Sequence, residues 1–295
     1  MKDISDYQVW TAIITPMNGD GSVDYDSLKN LLQEQAQAGN AITILASTGE
    51  GMNLDLSERK EILEFAIGLK LDLALMVGVG GINLHDQLAW VEYLNTLPVD
   101  CYLLVVPLYA KPEVQGQYGW FKTLLDIADK PCALYNIPKR TGKSLEFETV
   151  KMLKDHPRFW GMKEASASEA DFTKYRETAP KVHMLSGDDP MLPAFAKLGA
   201  KGVVSVASNV WPVATHEFAR QCVGGTFQDD ELWDKATAAL FCASNPVPVK
   251  ALLHDLGRIK TPELRLPLSS RDMADMSIVR KANTDVEAWL AGQTK

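Results

Sequence analysis

The 295-residue chain has only four cysteines, Cys101, Cys132, Cys222 and Cys242, and no two of them stand at Cys-x-x-Cys spacing. That excludes a disulfide framework and the common zinc modules, so the thiols are expected to be reduced and mostly buried. The five histidines are equally scattered, with no His-Glu-x-x-His pair, and a metal site has no support. No apolar run approaches the roughly 20 residues of a spanning helix, and the amino terminus MKDISDYQVW lacks a basic region followed by an apolar stretch. The protein is therefore expected in the cytoplasm, off the membrane. Positive charge is scarce too: 30 Lys and Arg face 38 Asp and Glu, a net charge of -8. Nucleic acid and anionic membranes would meet repulsion, and an anionic small substrate needs a local cationic site. With 46% hydrophobic residues, 20 Gly and 15 Pro, the composition excludes disorder, collagen and coiled coil.

What the sequence does contain is alternation on a large scale. Eight short apolar or β-branched runs begin at Val9, Ala41, Leu73, Cys101, Ala133, Phe159, Val182 and Lys201, each followed by an amphipathic stretch. Near-continuous hydrophobicity is expected of parallel strands covered on both faces. In the first intervening stretch Leu28, Leu31 and Leu32 fall at helical spacing and Gly39 supplies a stop. Ser57 reads as the cap of the second helix. Eight such units close most simply into a (β/α)8 barrel, and an open doubly wound sheet shares the element order. The residues after the eighth run show helical patterns only, so the expected organisation is a barrel over 1–207 and a helical region packed on it over 208–295.

Three motifs fail on inspection. Gly78-Val79-Gly80-Gly81-Ile82-Asn83 has Asn83 where a dinucleotide fingerprint needs its third glycine, so a tight βα turn is the better reading. Gly142-Lys143-Ser144 has Ile137 where a phosphate loop needs its leading glycine. Asp188-Asp189-Pro190 reads as a helix cap rather than a pair of acid/base carboxylates.

In a barrel the chemistry sits where strands end and βα loops begin. The second run ends in Ser47-Thr48-Gly49-Glu50, the fourth in Pro107-Leu108-Tyr109, the fifth in Tyr135-Asn136-Ile137-Pro138-Lys139-Arg140-Thr141-Gly142, the sixth at Lys163 and the seventh in Ser186-Gly187-Asp188-Asp189. Alternation groups Phe159, Gly161 and Lys163 on one face. An end-of-strand lysine ordinarily packs its stem and sends its head to water. Inside a barrel the amine is desolvated instead, which lowers its pKa and frees a nucleophile for carbonyls. Tyr135 on the preceding strand is either a core aromatic or a proton relay, Ser47 and Thr48 turn residues or hydroxyl donors, Arg140 a surface charge or a carboxylate clamp. Together they form a site with each role filled.

Those motifs, with Gly161-Met162-Lys163-Glu164-Ala165, resemble the dihydrodipicolinate synthase and N-acetylneuraminate lyase family of class I aldolases, essentially end to end. The resemblance implies a barrel, a Schiff base between Lys163 and pyruvate with no separate cofactor, and Tyr135 as acid/base, with Thr48 and the backbone near Val204 holding pyruvate. Arg140, Tyr109 and the tail segments Asn245–Lys250 and Leu264–Leu268 resemble the synthase branch. On that branch Arg140 engages the carboxylate of L-aspartate 4-semialdehyde. Ser47, Tyr135 and a Tyr109 lent by a neighbouring subunit relay protons. The expected reaction is condensation of the two substrates to 4-hydroxy-tetrahydrodipicolinate on the diaminopimelate route to lysine, by a homotetramer built as a dimer of dimers. A sugar-acid or N-acetylneuraminate lyase, or a non-catalytic binder, is the alternative. Ser47 replaces a usual threonine, and Leu56, Arg59 and Leu108 replace the polar residues of a lysine feedback site, so inhibition by lysine is expected to be weak or absent.

Overall fold

The structure, a computed structural model, describes residues 3–293. Eight parallel strands, β1 (Val9–Ala12), β2 (Ala41–Ile44), β3 (Leu75–Val79), β4 (Cys101–Val105), β5 (Cys132–Asn136), β6 (Phe159–Glu164), β7 (His183–Ser186) and β8 (Val203–Ser205), form a closed barrel in chain order. The doubly wound alternative is thereby removed. Period-two alternation divides each strand between two packing layers. Trp10, Ala41, Met76, Leu103, Ala133, Tyr135, Leu185 and Val204 form the inner cluster. Ile42, Val77, Leu104, Leu134, Met162 and Val203 pack outward under the helices.

One residue breaks the expected parity. Cys132 pairs with Phe159 but Ala133 pairs with Gly161, so Trp160 is an extra residue in β6. Phe159 consequently joins Met162 in the outer layer, while Lys163 keeps company with Tyr135, its partner in register. Closure needs another local device, a close approach of β8 to the segment before β1. At Gly202 a Cβ would stand 2.3 Å from the Gln8 carbonyl oxygen, so only glycine fits.

The intervening helices are α1 (Tyr25–Ala38), α2 (Leu56–Gly68), α3 (Leu84–Asn95), α4 (Val114–Ile127), the short α5 (Pro138–Thr141), α6 (Phe147–Leu153), α7 (Glu169–Thr178) and α8 (Leu192–Lys197). Leu28, Leu31 and Leu32 are buried, and Gly39 ends α1 in the left-handed region at φ 75°. The cap of α2 is Asp55, not Ser57: Glu58 closes a capping box onto the Asp55 backbone N–H at 3.0 Å. Cys101, Cys132 and Cys222 are buried thiols and Cys242 is exposed.

Beyond β8 lie α9 (Pro212–Gly224), α10 (Asp230–Ala239), α11 (Val247–Asp255) and α12 (Met276–Gln293). Because α9 packs on both α1 and α8, it occupies the place of the helix after the eighth strand. We therefore propose that the appendage begins after Gly225 rather than at residue 208. No helix among the described residues is long and apolar enough to cross a membrane.

The appendage is fastened to the barrel by a buried ion pair. Lys250 on α11 donates to Glu50 Oε1 at 2.6 Å and to the Glu263 carbonyl at 2.8 Å, and both charged side chains are fully buried. Glu50 Oε2 accepts the Arg265 backbone N–H at 2.8 Å. Removing one partner strands the other charge without water, which typically costs about 3–5 kcal/mol. Lys250→Met is expected to lower stability by about that amount, read from urea unfolding, and Glu50→Gln added to it should recover a large part. A single variant as stable as wild type would show that the pair holds nothing.

Candidate active site

The structure brings most of the anticipated residues to the mouth formed by the strand ends. Lys163, near the end of β6, is 4% exposed. Its Nζ lies 4.2 Å from the centroid of the Tyr135 ring on β5. Burial lowers the Lys163 amine to about 8, with Arg140 pushing the same way and Asp188 and Asp189 opposing. At pH 7.4 an amine with that value is neutral in about one molecule in five, against about one in a thousand for an ordinary lysine.

Burial raises the Tyr135 hydroxyl above the usual phenol range, while Arg140 and a hydrogen bond from Ser47 pull it back. The phenol thus stays protonated at neutral pH and is joined to Ser47, which suits a group that passes protons on. Ser47 precedes the buried Thr48 in a tight turn whose backbone is fixed from several sides. Thr15 donates its hydroxyl to the Gly49 carbonyl at 2.7 Å, and a Cβ at Gly51 would stand 2.0 Å from the Leu45 carbonyl oxygen. Gly78, expected in a turn, lies within β3, where a Cβ would be 2.6 Å from the same oxygen. Val204 is fully buried on the inner face of β8.

Arg140, on α5, reaches out of the barrel and donates to the Asn245 carbonyl at 3.3 Å. Asn245 also donates from Nδ2 to the Thr48 hydroxyl at 2.9 Å. One residue of the appendage therefore holds two site groups. Its Oδ1 is buried and has no hydrogen-bond partner among the described residues. In the sequence Asn245 shows itself only as the first residue of a tail motif. An asparagine at the foot of an apolar helical run is the one signal that marks it.

Two carboxylates depart from the sequence reading. Asp189 does not cap its own helix: it accepts from Ser205 Oγ and from the backbone N–H groups of Val206 at 2.9 Å and Ala207 at 3.1 Å, fixing the turn after β8. Asp188 makes no capping bond either. Burial raises its carboxyl to about 6, against the pull of Lys163, Lys139 and Arg140, so it is ionised at neutral pH beside the amine. Tyr109 is not brought to the site within one chain: it is 90% exposed, with φ 63°. Leu56, Arg59 and Leu108 line one pocket with Asp86 and Gln87. No group of three or more His, Cys, Asp or Glu side chains among the described residues could hold a metal ion.

An ionised Asp188 stabilises the ammonium form of Lys163, so its removal lowers the amine's pKa further. Labelling of Lys163 by an amine-reactive reagent, followed by peptide mass spectrometry, should rise with pH around a midpoint near 8. In Asp188→Asn that midpoint should move to lower pH, and a move to higher pH would contradict the assigned electrostatics.

Comparison with known proteins agrees with this geometry. The model of the dihydrodipicolinate synthetase family matches residues 6–284. The 4-hydroxy-tetrahydrodipicolinate synthase of Francisella philomiragia is 45% identical over 286 residues, covering 96% of this chain and 97% of that one. The protein of the same description from a Wolbachia pipientis strain of Culex pipiens is 44% identical over 282 residues, covering 95% and 96%. Among solved structures, the dihydrodipicolinate synthase of Acinetobacter baumannii complexed with pyruvate superposes with a TM-score of 0.89 at 30% identity, covering 96% of this chain and 99% of that chain.

Proposed function

The chain belongs to the dihydrodipicolinate synthetase family, and from that membership and the site geometry we infer that it condenses pyruvate with L-aspartate 4-semialdehyde to 4-hydroxy-tetrahydrodipicolinate, a step in lysine biosynthesis through diaminopimelate. The observation that carries the reading is a buried lysine amine on the inner wall of a closed barrel, 4.2 Å from the centroid of a tyrosine ring, with burial lowering its pKa. No metal or organic cofactor takes part. The neutral Lys163 amine attacks the pyruvate ketone, and loss of water leaves an imine. Loss of a C3 proton converts the imine to an enamine, whose C3 attacks the aldehyde and forms the new carbon–carbon bond. The semialdehyde's own amine then adds to the imine carbon, closes the ring and expels Lys163, so one water is lost overall.

Tyr135 carries the protons, relayed by Ser47 and by Tyr109 of a second copy, consistent with the exposure of Tyr109 in a single chain. Thr48 and the backbone at Val204 hold the pyruvate carboxylate end. Arg140 clamps the carboxylate of the semialdehyde. We place the enzyme in the cytoplasm as a homotetramer, a dimer of dimers. Arg140 weighs against a lyase, and the intact Lys163 and Tyr135 against a non-catalytic binder.

Borohydride added with pyruvate should reduce the imine and leave a stable adduct on Lys163. An unmodified Lys163 under turnover conditions would remove the mechanism. In Arg140→Ala the KM for the semialdehyde should rise about tenfold or more while that for pyruvate changes little, because a bidentate contact is lost from one substrate only. Equal changes for both substrates would cancel the assignment.

A further inference from the structure

The strand pairing that joins Tyr135 to Lys163 also joins the next residues, Asn136 to Glu164. Alternation sends the first pair inward to the site and the second outward, behind it. The Glu164 carboxylate is fully buried there. Its Oε2 accepts from Asn136 Nδ2 at 2.7 Å and its Oε1 from the Ser166 backbone N–H at 2.7 Å. Asn136 Oδ1 in turn accepts the Leu145 N–H at 2.9 Å, which fixes the amide's orientation and makes the bond to Glu164 run in one direction.

β5 and β6 end at these residues, and the last backbone bond between them is Ala165 N–H to the Asn136 carbonyl at 2.9 Å. The ladder therefore stops one residue past the rung that carries the proposed nucleophile and proton carrier. We propose that Glu164 is a positioning residue: with Asn136 it braces the ends of β5 and β6 from outside the barrel and sets the placement of Lys163 against Tyr135. This rests on reading Lys163 as the Schiff-base lysine.

The brace can be reversed rather than merely broken. In Glu164→Gln one acceptor must serve two donors, so an N–H faces an N–H. In Asn136→Asp two carboxylates oppose each other. In the double variant the amide introduced at position 164 would donate to the carboxylate introduced at position 136 and still accept from Ser166. That carboxylate would accept from Leu145, and the net charge is unchanged. Each single variant is expected to lose about 10- to 100-fold in kcat with pyruvate KM within about twofold, and the double variant to return to within about threefold of wild type.

Stability is followed in parallel by urea unfolding. Single variants that lose stability but keep kcat overturn the proposal, as does a double variant that regains stability without turnover. Should the singles fail to fold, Glu164→Asp keeps the charge and shortens the reach: a fall of about tenfold in kcat supports the brace, and an unchanged kcat overturns it. Wild-type protein treated with pyruvate and borohydride separates the two readings. Failure to trap there overturns the functional reading, whereas trapping with undiminished turnover in the variants overturns the brace alone.

Discussion

A primary amine on the inner wall of a closed barrel is cut off from water, and the site is organised around that constraint. Among the described residues two lysines are buried, and they differ in what surrounds the nitrogen. Lys250 is matched by Glu50 at 2.6 Å and by a carbonyl, so its charge is satisfied and the side chain serves as a fastener. Lys163 meets the face of an aromatic ring, with its carboxylate neighbours contributing through space, and its pKa falls to about 8. Burial lowers both amines, and what separates the fastener from the proposed nucleophile is the carboxylate and carbonyl in direct contact with Lys250, where Lys163 has an aromatic ring.

The appendage follows from the same need. Strands supply Tyr135 and Lys163, but Thr48 and Arg140 lie beyond the strand ends, on the turn after β2 and on the short α5. Asn245 ties both, and the Glu50–Lys250 pair anchors the turn that presents Ser47. The helices after the barrel thus act on the chemistry by holding loops, and their removal would expose Glu50 and free Arg140 together. That is why tail residues carry as much information about the site as strand residues do.

Eight strands and the converging residues at their ends are legible in the sequence because each run is locally apolar and each site residue sits at a run's end. The departures share a cause. Ser57 stands where spacing expects a cap, but helix ends are decided by side-chain bonds that spacing does not reveal, and Asp55 makes them. Phe159 leaves the face of Lys163 because an extra residue in β6 reverses parity, and parity arguments assume an unbroken ladder. Asp189 has the local look of a cap, yet its real partners, Ser205, Val206 and Ala207, arrive from the next strand. Asn245 and Lys250 act on residues between 105 and 200 positions away, separations at which local pattern is silent.

The charge balance at the mouth has its own logic. On a chain of net charge -8, Lys139, Arg140 and Lys163 gather around Asp188. Without the carboxylate, the buried Lys163 amine would feel the repulsion of Arg140 with less to oppose it and would fall to a still lower pKa. The neutral fraction would rise, but a less basic amine is also a weaker nucleophile. With the Asp188 carboxyl at about 6 and the amine at about 8, both groups hold these forms across neutral pH: one ionised, the other divided between ammonium and free amine. On the proposed function, the ammonium fraction would attract the anionic substrate and the free amine would react with it, so a single lysine would serve both ends of the encounter.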